Sequence, residues 1–214
     1  MNQRVPTVKR RVYDSSGRRA QAAANRQRIL VVARQRFLAE GYAATTISDI
    51  AAAAGVSLDT VYKTFGNKAR LVKALFDAAV AGEQPMESPE RAAAVSREEQ
   101  DPRARLRAFG AFVTEVMPRA APVLLLVRAA ADTDPELVSV WEEMNAERLD
   151  SMSRHAHLLQ ADGHLRAGLS VEEARDVLWA YCSPEWYDLL VQRRGWSVER
   201  FGVWVGEAYI AALL

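Results

Sequence analysis

One cysteine, Cys182, stands among 214 residues, which excludes an intramolecular disulfide and fits a reducing compartment. No apolar run approaches the roughly 20 residues needed to span a bilayer. The opening MNQRVPTVKRRVYDSS lacks the apolar core of a secretory signal, so a cytoplasmic protein with no membrane partner is expected. There is no glycine-rich phosphate loop and no Gly-x-Ser-x-Gly elbow. His155, His157 and His164 form no i, i+4 pair with a nearby glutamate, so no metal site and no cofactor are expected. Two of these histidines are expected on a solvated helix. Cys182 has no neighbouring base in sequence and reads as a buried, inert thiol. No segment alternates with period two, and no internal repeat is present. What these absences leave is an all-α chain without the marks of an enzyme.

A formal net charge of +1 conceals an asymmetry. Residues 1–73 hold 14 Lys and Arg against four acids (Asp14, Glu40, Asp49, Asp59), whereas residues 74–214 hold 14 basic and 23 acidic residues. A basic head on a mildly acidic body fits a nucleic-acid-binding module joined to a part that does not bind. A solvated basic surface without a partner gives the same pattern, so charge alone does not decide between them.

The order of elements is more specific. Residues 1–17 read as a flexible basic arm carrying Lys9, Arg10 and Arg11. From about Arg18 a helical pattern begins in which Ile29, Ala33 and Phe37 recur every four residues beside Leu30, and Gly41 ends it. Thr46-Ile47-Ser48-Asp49 has the form of a capping box opening an alanine-rich helix, Ile50 and Ala51 to Ala54. Gly55 permits a reversal that Val56 plugs, and Ser57 caps a second short helix from Leu58 to about Thr64. Gly66-Asn67 then starts a third helix with the stripe Leu71, Leu75, Ala78, Ala79. This head covers 18–82, and a linker, 83–101, holds Pro85, Pro89 and a charge cluster. The body, 102–214, is read as helices at 102–117, 122–132, 135–160, 171–193 and 197–213, punctuated by Pro118, Pro122, Asp134-Pro135, Gly163, Gly168, Gly195 and Ser197. Ser170 to Glu173 forms a second capping box, and Ser183-Pro184 breaks or kinks the penultimate helix.

Two short helices joined by a glycine turn can project the second helix into a DNA major groove. Ser57, Asp59, Thr60 and Lys63 fall in its first two turns. Lys63 suits guanine O6 or N7, Thr60 a thymine methyl or base edge, and Asp59 cytosine N4. Asp59 equally suits the positive end of the helix dipole. Tyr62 offers a phenolic donor to a phosphate. Thr45, Thr46 and Lys68 lie at helix N-termini, where free amides favour an anion. Val61 and Phe65 face the core.

The run RQRILVVARQRFLAEGYAATTISDIAAAAGVSLDTVYKTFGNKARLVKAL closely resembles the DNA-binding domain of the tetracycline-repressor (TetR) family of bacterial regulators. Gly41-Tyr42, Thr45-Thr46-Ile47, Ile50-Ala51, Ala54-Gly55-Val56-Ser57, Val61-Tyr62, Phe65, Asn67-Lys68 and Leu71 carry the likeness, over about a quarter of the chain. The resemblance implies a three-helix helix-turn-helix head, a larger helical ligand-binding body, and a homodimer formed through the last two long helices. It further implies a regulator, repressing by occlusion, that binds palindromic double-stranded DNA and is released by a small-molecule effector.

In the body, Trp186, Tyr187, Leu190, Phe201, Trp204, Val205 and Tyr209 belong to two aromatic-rich helices whose exposed side the resemblance assigns to the dimer interface, while core packing accounts for many of the same residues. Phe109, Phe112, Met117, Leu125, Trp141, Met144, Met152 and Trp179 are candidates for a pocket wall, with a filled core as the alternative. Arg128 sits in the apolar run PVLLLVRAAAD, with Asp132 as its ordinary partner and an anionic ligand as the other. A constitutive DNA-binding protein without a ligand, or an all-α interaction module, are the competing functions.

Overall fold

In a computed structural model, residues 16–82 and 99–214 are described and are helical and looped, with no strand among them. The arm and most of the linker lie outside the described residues. The first helix, α1 (Ser16–Glu40), closes where the N–H of Gly41 bonds Phe37 O at 3.0 Å. Next, α2 (Ile47–Ala54) is capped by Thr46, whose hydroxyl oxygen accepts from the Asp49 N–H at 3.1 Å. The reciprocal half differs from the expected capping box: the Asp49 carboxylate accepts from the Thr46 hydroxyl at 2.6 Å. Gly55, at φ 64°, reverses the chain into α3 (Leu58–Phe65), where Ser57 accepts from the Thr60 N–H. Asn67 caps α4 (Lys68–Ala81) through the Arg70 N–H.

One apolar face was expected on α4, but Ala69, Leu71 to Phe76 and Ala79 are all buried, while Ala78 is exposed. The cause is position: α4 packs on α1 and α3 and also on the body, so it needs two apolar faces.

The largest departure concerns Pro118 and Pro122. They sit inside one helix, α5 (Pro102–Ala131), instead of separating two. Pro122 has no N–H, so Pro118 O loses its intrahelical donor. The Arg34 guanidinium of α1 stands in, donating to Pro118 O at 3.4 Å and to Arg119 O at 2.8 Å. A donor from 84 residues away thus carries the helix through its weak point. By length and composition α5 is also the one described helix able to cross a membrane, but half of its apolar window is buried within this fold.

Asp134 caps α6 (Pro135–Ala161). The capping box of α7 (Val171–Tyr181) is complete, with both reciprocal bonds between Ser170 and Glu173. The break at Ser183-Pro184 starts α8 (Pro184–Tyr187), which runs into a π-helical turn, Asp188–Arg193. The last helix, α9 (Val198–Leu213), starts at Ser197. It crosses α5 with almost no separation: a Cβ on Gly110 would lie 2.3 Å from Gly202 O.

Two hydrophobic cores result, and their boundary is not the one between head and body. The first joins the head to Val116, Ala120, Leu124 and Val127 of α5 and to Leu137, Val140 and Met144 of α6. The second joins Leu106, Phe109, Val113 and Met117 of α5 to the end of α6 and to α7–α9.

Candidate nucleic-acid interface and body cavity

The α3 helix is anchored by Val61 and Phe65, which are 1% and 8% exposed, and it shows its other face to solvent. Ser57, Asp59, Tyr62 and Lys63 are exposed and Thr60 is half-buried. Four of these groups are already engaged locally, in two pairs. The Ser57 and Thr60 hydroxyls lie 2.7 Å apart, and Lys63 pairs with Asp59 at 2.7 Å, which raises its pKa above the ordinary lysine value. This pair is fully in water and exchanges readily for other partners. Arg26 of α1 lies 4.8 Å from the Phe65 ring centre.

Among the groups expected at phosphates, Thr46 is exposed at the start of α2. Thr45 is a correction: it is completely buried, and its hydroxyl donates to Gly41 O at 2.8 Å. It ties the α1–α2 turn together and offers no surface to DNA. Lys68 is half-buried at the first position of α4, its ammonium 4.1 Å from the Tyr42 ring centre. Burial lowers its pKa below the ordinary lysine value, and Asp134 offsets part of that. Burial also raises the pKa of the Tyr42 phenol, reinforced by the same Asp134. Lys68 and Tyr42 therefore stand where the head meets the cap of α6.

A second head–body connection is ionic. Lys73, 7% exposed, reaches Asp77 at 2.6 Å, Glu147 at 3.0 Å and Glu143 at 3.9 Å, and Arg70 pairs with Glu143 at 2.5 Å.

At the seam of the two cores lies a cavity of about 370 Å³, walled by α4, α5 and α6. Its size falls within the range of small-molecule sites. The sequence candidates Phe109, Phe112, Met117 and Met152 line it together with Phe76, Val80 and Leu124. Its polar groups are Asp77, Glu147, Arg148, Ser151, Arg154 and His155. Burial, then Arg154 and Arg105, push the His155 imidazole down to about 4, and its ring meets Phe109 edge-on at 4.8 Å.

Five pocket candidates lie elsewhere. Met144 is fully buried in the first core, and Trp141 packs beside it. Leu125 is half-buried on the side of α5 away from the cavity wall. Trp179 lines a separate groove with Asn145 and Leu149. Arg128 is exposed and pairs with Glu185, neither with Asp132 nor with the cavity; the α8 turn, remote in sequence, brings that carboxylate close.

A family model described as "Bacterial regulatory proteins, tetR family" matches residues 29–75, the segment from mid-α1 through most of α4. Residues 29–75 are therefore a DNA-binding segment of the tetR-family type. The HTH-type transcriptional regulator TtgR of Pseudomonas putida is 44% identical over 57 residues, 27% of this chain and 27% of that protein. The match thus spans about a quarter of the relative's length. Solved TetR-like structures extend over the body at low identity and show its fold. NalD, the secondary repressor of the MexAB-OprM multidrug efflux pump in Pseudomonas aeruginosa, matches with TM-score 0.69 and 24% identity, covering 90% of this chain and 98% of that one. The transcriptional regulator FadR from Bacillus subtilis, solved in complex with stearoyl-CoA, matches with TM-score 0.71 and 20% identity, covering 88% and 99%.

The residues expected at a subunit contact divide into two groups. Tyr187, Phe201, Val205 and Tyr209 are 3% exposed or less and belong to the second core, and the Tyr209 hydroxyl donates to Leu178 O at 2.8 Å. Trp186, Leu190 and Trp204 remain at least partly on the surface, joined there by Leu189 and Val203. The sequence reading also missed Arg148 and His155 in the cavity. Their signal was present: Met144, Arg148 and Met152 follow one another at helical spacing, so a cation stands within an apolar stripe.

Proposed function

We propose that this TetR-family transcriptional regulator is a cytoplasmic homodimeric repressor that binds a palindromic operator and is released from it by a small molecule held in the body cavity. The observation that carries the reading is the α3 surface: its anchors are buried, while Ser57, Asp59, Thr60, Tyr62 and Lys63 face outward from a head that is strongly basic. Ser57, Thr60 and Lys63 are the proposed base readers, with Asp59 held as their partner. Thr46, Tyr62 and Lys68 are proposed to hold the backbone. Two such helices about 34–36 Å apart enter successive major grooves, and the surface formed by Trp186, Leu189, Leu190, Val203 and Trp204 is the proposed subunit contact.

The cavity favours the effector-released reading over a constitutive DNA-binding protein. Phe76 and Val80 of α4 form part of its wall, and α4 also packs on α1 and α3. A ligand that prefers one placement of α4 therefore shifts the placement of the head, which lowers DNA affinity if the two placements bind DNA differently. That NalD is a secondary repressor and that FadR holds stearoyl-CoA support repression and a body ligand for this chain by likeness of fold. Binding-site selection with the full chain, followed by fluorescence anisotropy on the selected duplex, tests the reading. Selection should return a two-fold symmetric site, and affinity should fall steeply between about 50 and 200 mM salt. Recovery of no preferred sequence, or a flat salt dependence, would count against it.

A further inference from the structure

We infer that the ligand of this cavity is an apolar organic acid whose carboxylate is held by Arg148; the inference rests on the effector-released reading above. The charges of the wall lead to it one by one. Asp77 and Glu147, its two acids, already share the Lys73 ammonium, at 2.6 and 3.0 Å. Arg154 already pairs with Asp150. Arg148 is different: among the described residues its partners are neutral acceptors, Asn145 Oδ1 at 3.1 Å and Cys182 O at 3.2 Å. These leave part of its fork of N–H donors without an acceptor. The guanidinium carbon also stands 5.6 Å from the Trp179 ring centre.

When a ligand expels water from an apolar cavity, each polar group of the wall must find a partner or be left desolvated. A neutral ligand leaves the Arg148 donors unmet. An organic cation brings a second positive charge beside Arg148, and the carboxylates that would answer it are committed to Lys73. A carboxylate meets the guanidinium with paired, charge-assisted hydrogen bonds. The rest of the wall (Phe76, Phe109, Phe112, Met117, Met152) asks for a hydrocarbon or aromatic body. His155, neutral near pH 7, adds no second cation, so one carboxylate suffices.

Calorimetric titration of the full-length protein with phenylbutyrate, phenylbutanol and phenylbutylamine tests this, because the three share a body and differ in head-group charge. The acid should bind about tenfold tighter than the alcohol, and the amine weakest. Arg148→Gln should abolish the acid's advantage over the alcohol. Arg148→Lys should restore part of it, and Arg154→Gln should leave it intact. Equal binding of acid and alcohol, preference for the amine, or an advantage that survives Arg148→Gln overturns the inference while the ligand reading stands. Should Arg148→Gln fail to fold, the wild-type series and the Arg148→Lys variant still decide. Absence of binding by all three at millimolar concentration, with DNA affinity unmoved, overturns both.

Discussion

The head and the body use glycine, charge and polar side chains in opposite ways. In the head, Gly55 has open space around it and is needed for its positive φ of 64°. In the body, Gly110 has an ordinary backbone and no space at all: the carbonyl of Gly202 lies where its Cβ would be. The head keeps its ion pair on α3, Asp59–Lys63, in water, whereas where head meets body, Lys73 is buried among three carboxylates. The lesson is that the head is a small scaffold built to expose one helix, with local turns setting its shape. The body is built from close helix crossings around an internal space, so its tolerance is decided by contacts between residues far apart in sequence.

The sharpest way to break this comparison is to give both glycines a methyl group. Gly110→Ala must push α5 away from α9 and should cost about 3 kcal/mol or more, at the high end of overpacking. Gly55→Ala, strained only by its φ, should cost about 1 kcal/mol. Denaturant melts of the two variants measure this directly, and equal losses would remove the distinction.

Next in size is Lys73→Met, which leaves Asp77 and Glu147 without their shared cation. A loss of about 2 kcal/mol is expected, less than for a fully buried pair because the carboxylates reach water. Burial is the largest influence on Lys73 and lowers its pKa, but the hydrogen bonds to Asp77 and Glu147 outweigh it, so the net direction is up. A raised folded-state pKa means the contribution is fully present below the ordinary value of 10.5 and is lost as pH rises through the folded value. The cost of Lys73→Met should thus be the same at pH 7 and pH 8 and shrink only in strong alkali.

His155 behaves the other way. Its folded pKa of about 4 lies below the ordinary 6.5, so the unfolded chain binds the extra proton between those values. Stability should therefore fall as pH drops from 6.5 towards 4. His155→Phe should flatten that limb, on the order of 1–2 kcal/mol after allowance for solvent. Melting temperatures across this window check it; parallel curves for variant and wild type would show that the imidazole is not the group responsible.

Smaller effects separate neighbours within the head. Thr45→Val removes the hydroxyl bond to Gly41 O and should cost about 1 kcal/mol in stability with DNA affinity unchanged. Thr46→Ala loses the cap, at a similar cost, and should weaken DNA binding as well. Smallest in stability is Lys63→Ala, with no shift expected in a denaturant melt. Its effect should be almost wholly on DNA, relaxing preference at one base pair by about tenfold or more. If Thr45→Val weakened DNA binding more than Thr46→Ala, the assignment of buried and exposed roles would be reversed.

Local signals made the head readable. Thr46, Ser57 and Asn67 cap the helices they precede because a side-chain oxygen three residues before a free N–H is a property of sequence. Gly41 and Gly55 stop helices for reasons equally local. The same logic placed Ser170 and Ser197 correctly in the body. It failed at Pro118 and Pro122, where the donor that keeps α5 continuous comes from Arg34 in another helix. It failed again for Arg128, whose partner is Glu185 and not the nearby Asp132.

By itself the sequence determined an all-α chain, the boundaries of the capped helices, and a helix-turn-helix head with α3 as its outward helix. These follow from hydrogen bonds and periodicities that span a few residues. Only the tertiary structure decided that α4 has two buried faces, that Thr45 is interior, and that Tyr187, Phe201, Val205 and Tyr209 belong to the chain's own core. It also decided that Arg148 and His155 border the cavity. Each of these depends on which distant helix lies opposite, and no local pattern records that neighbour.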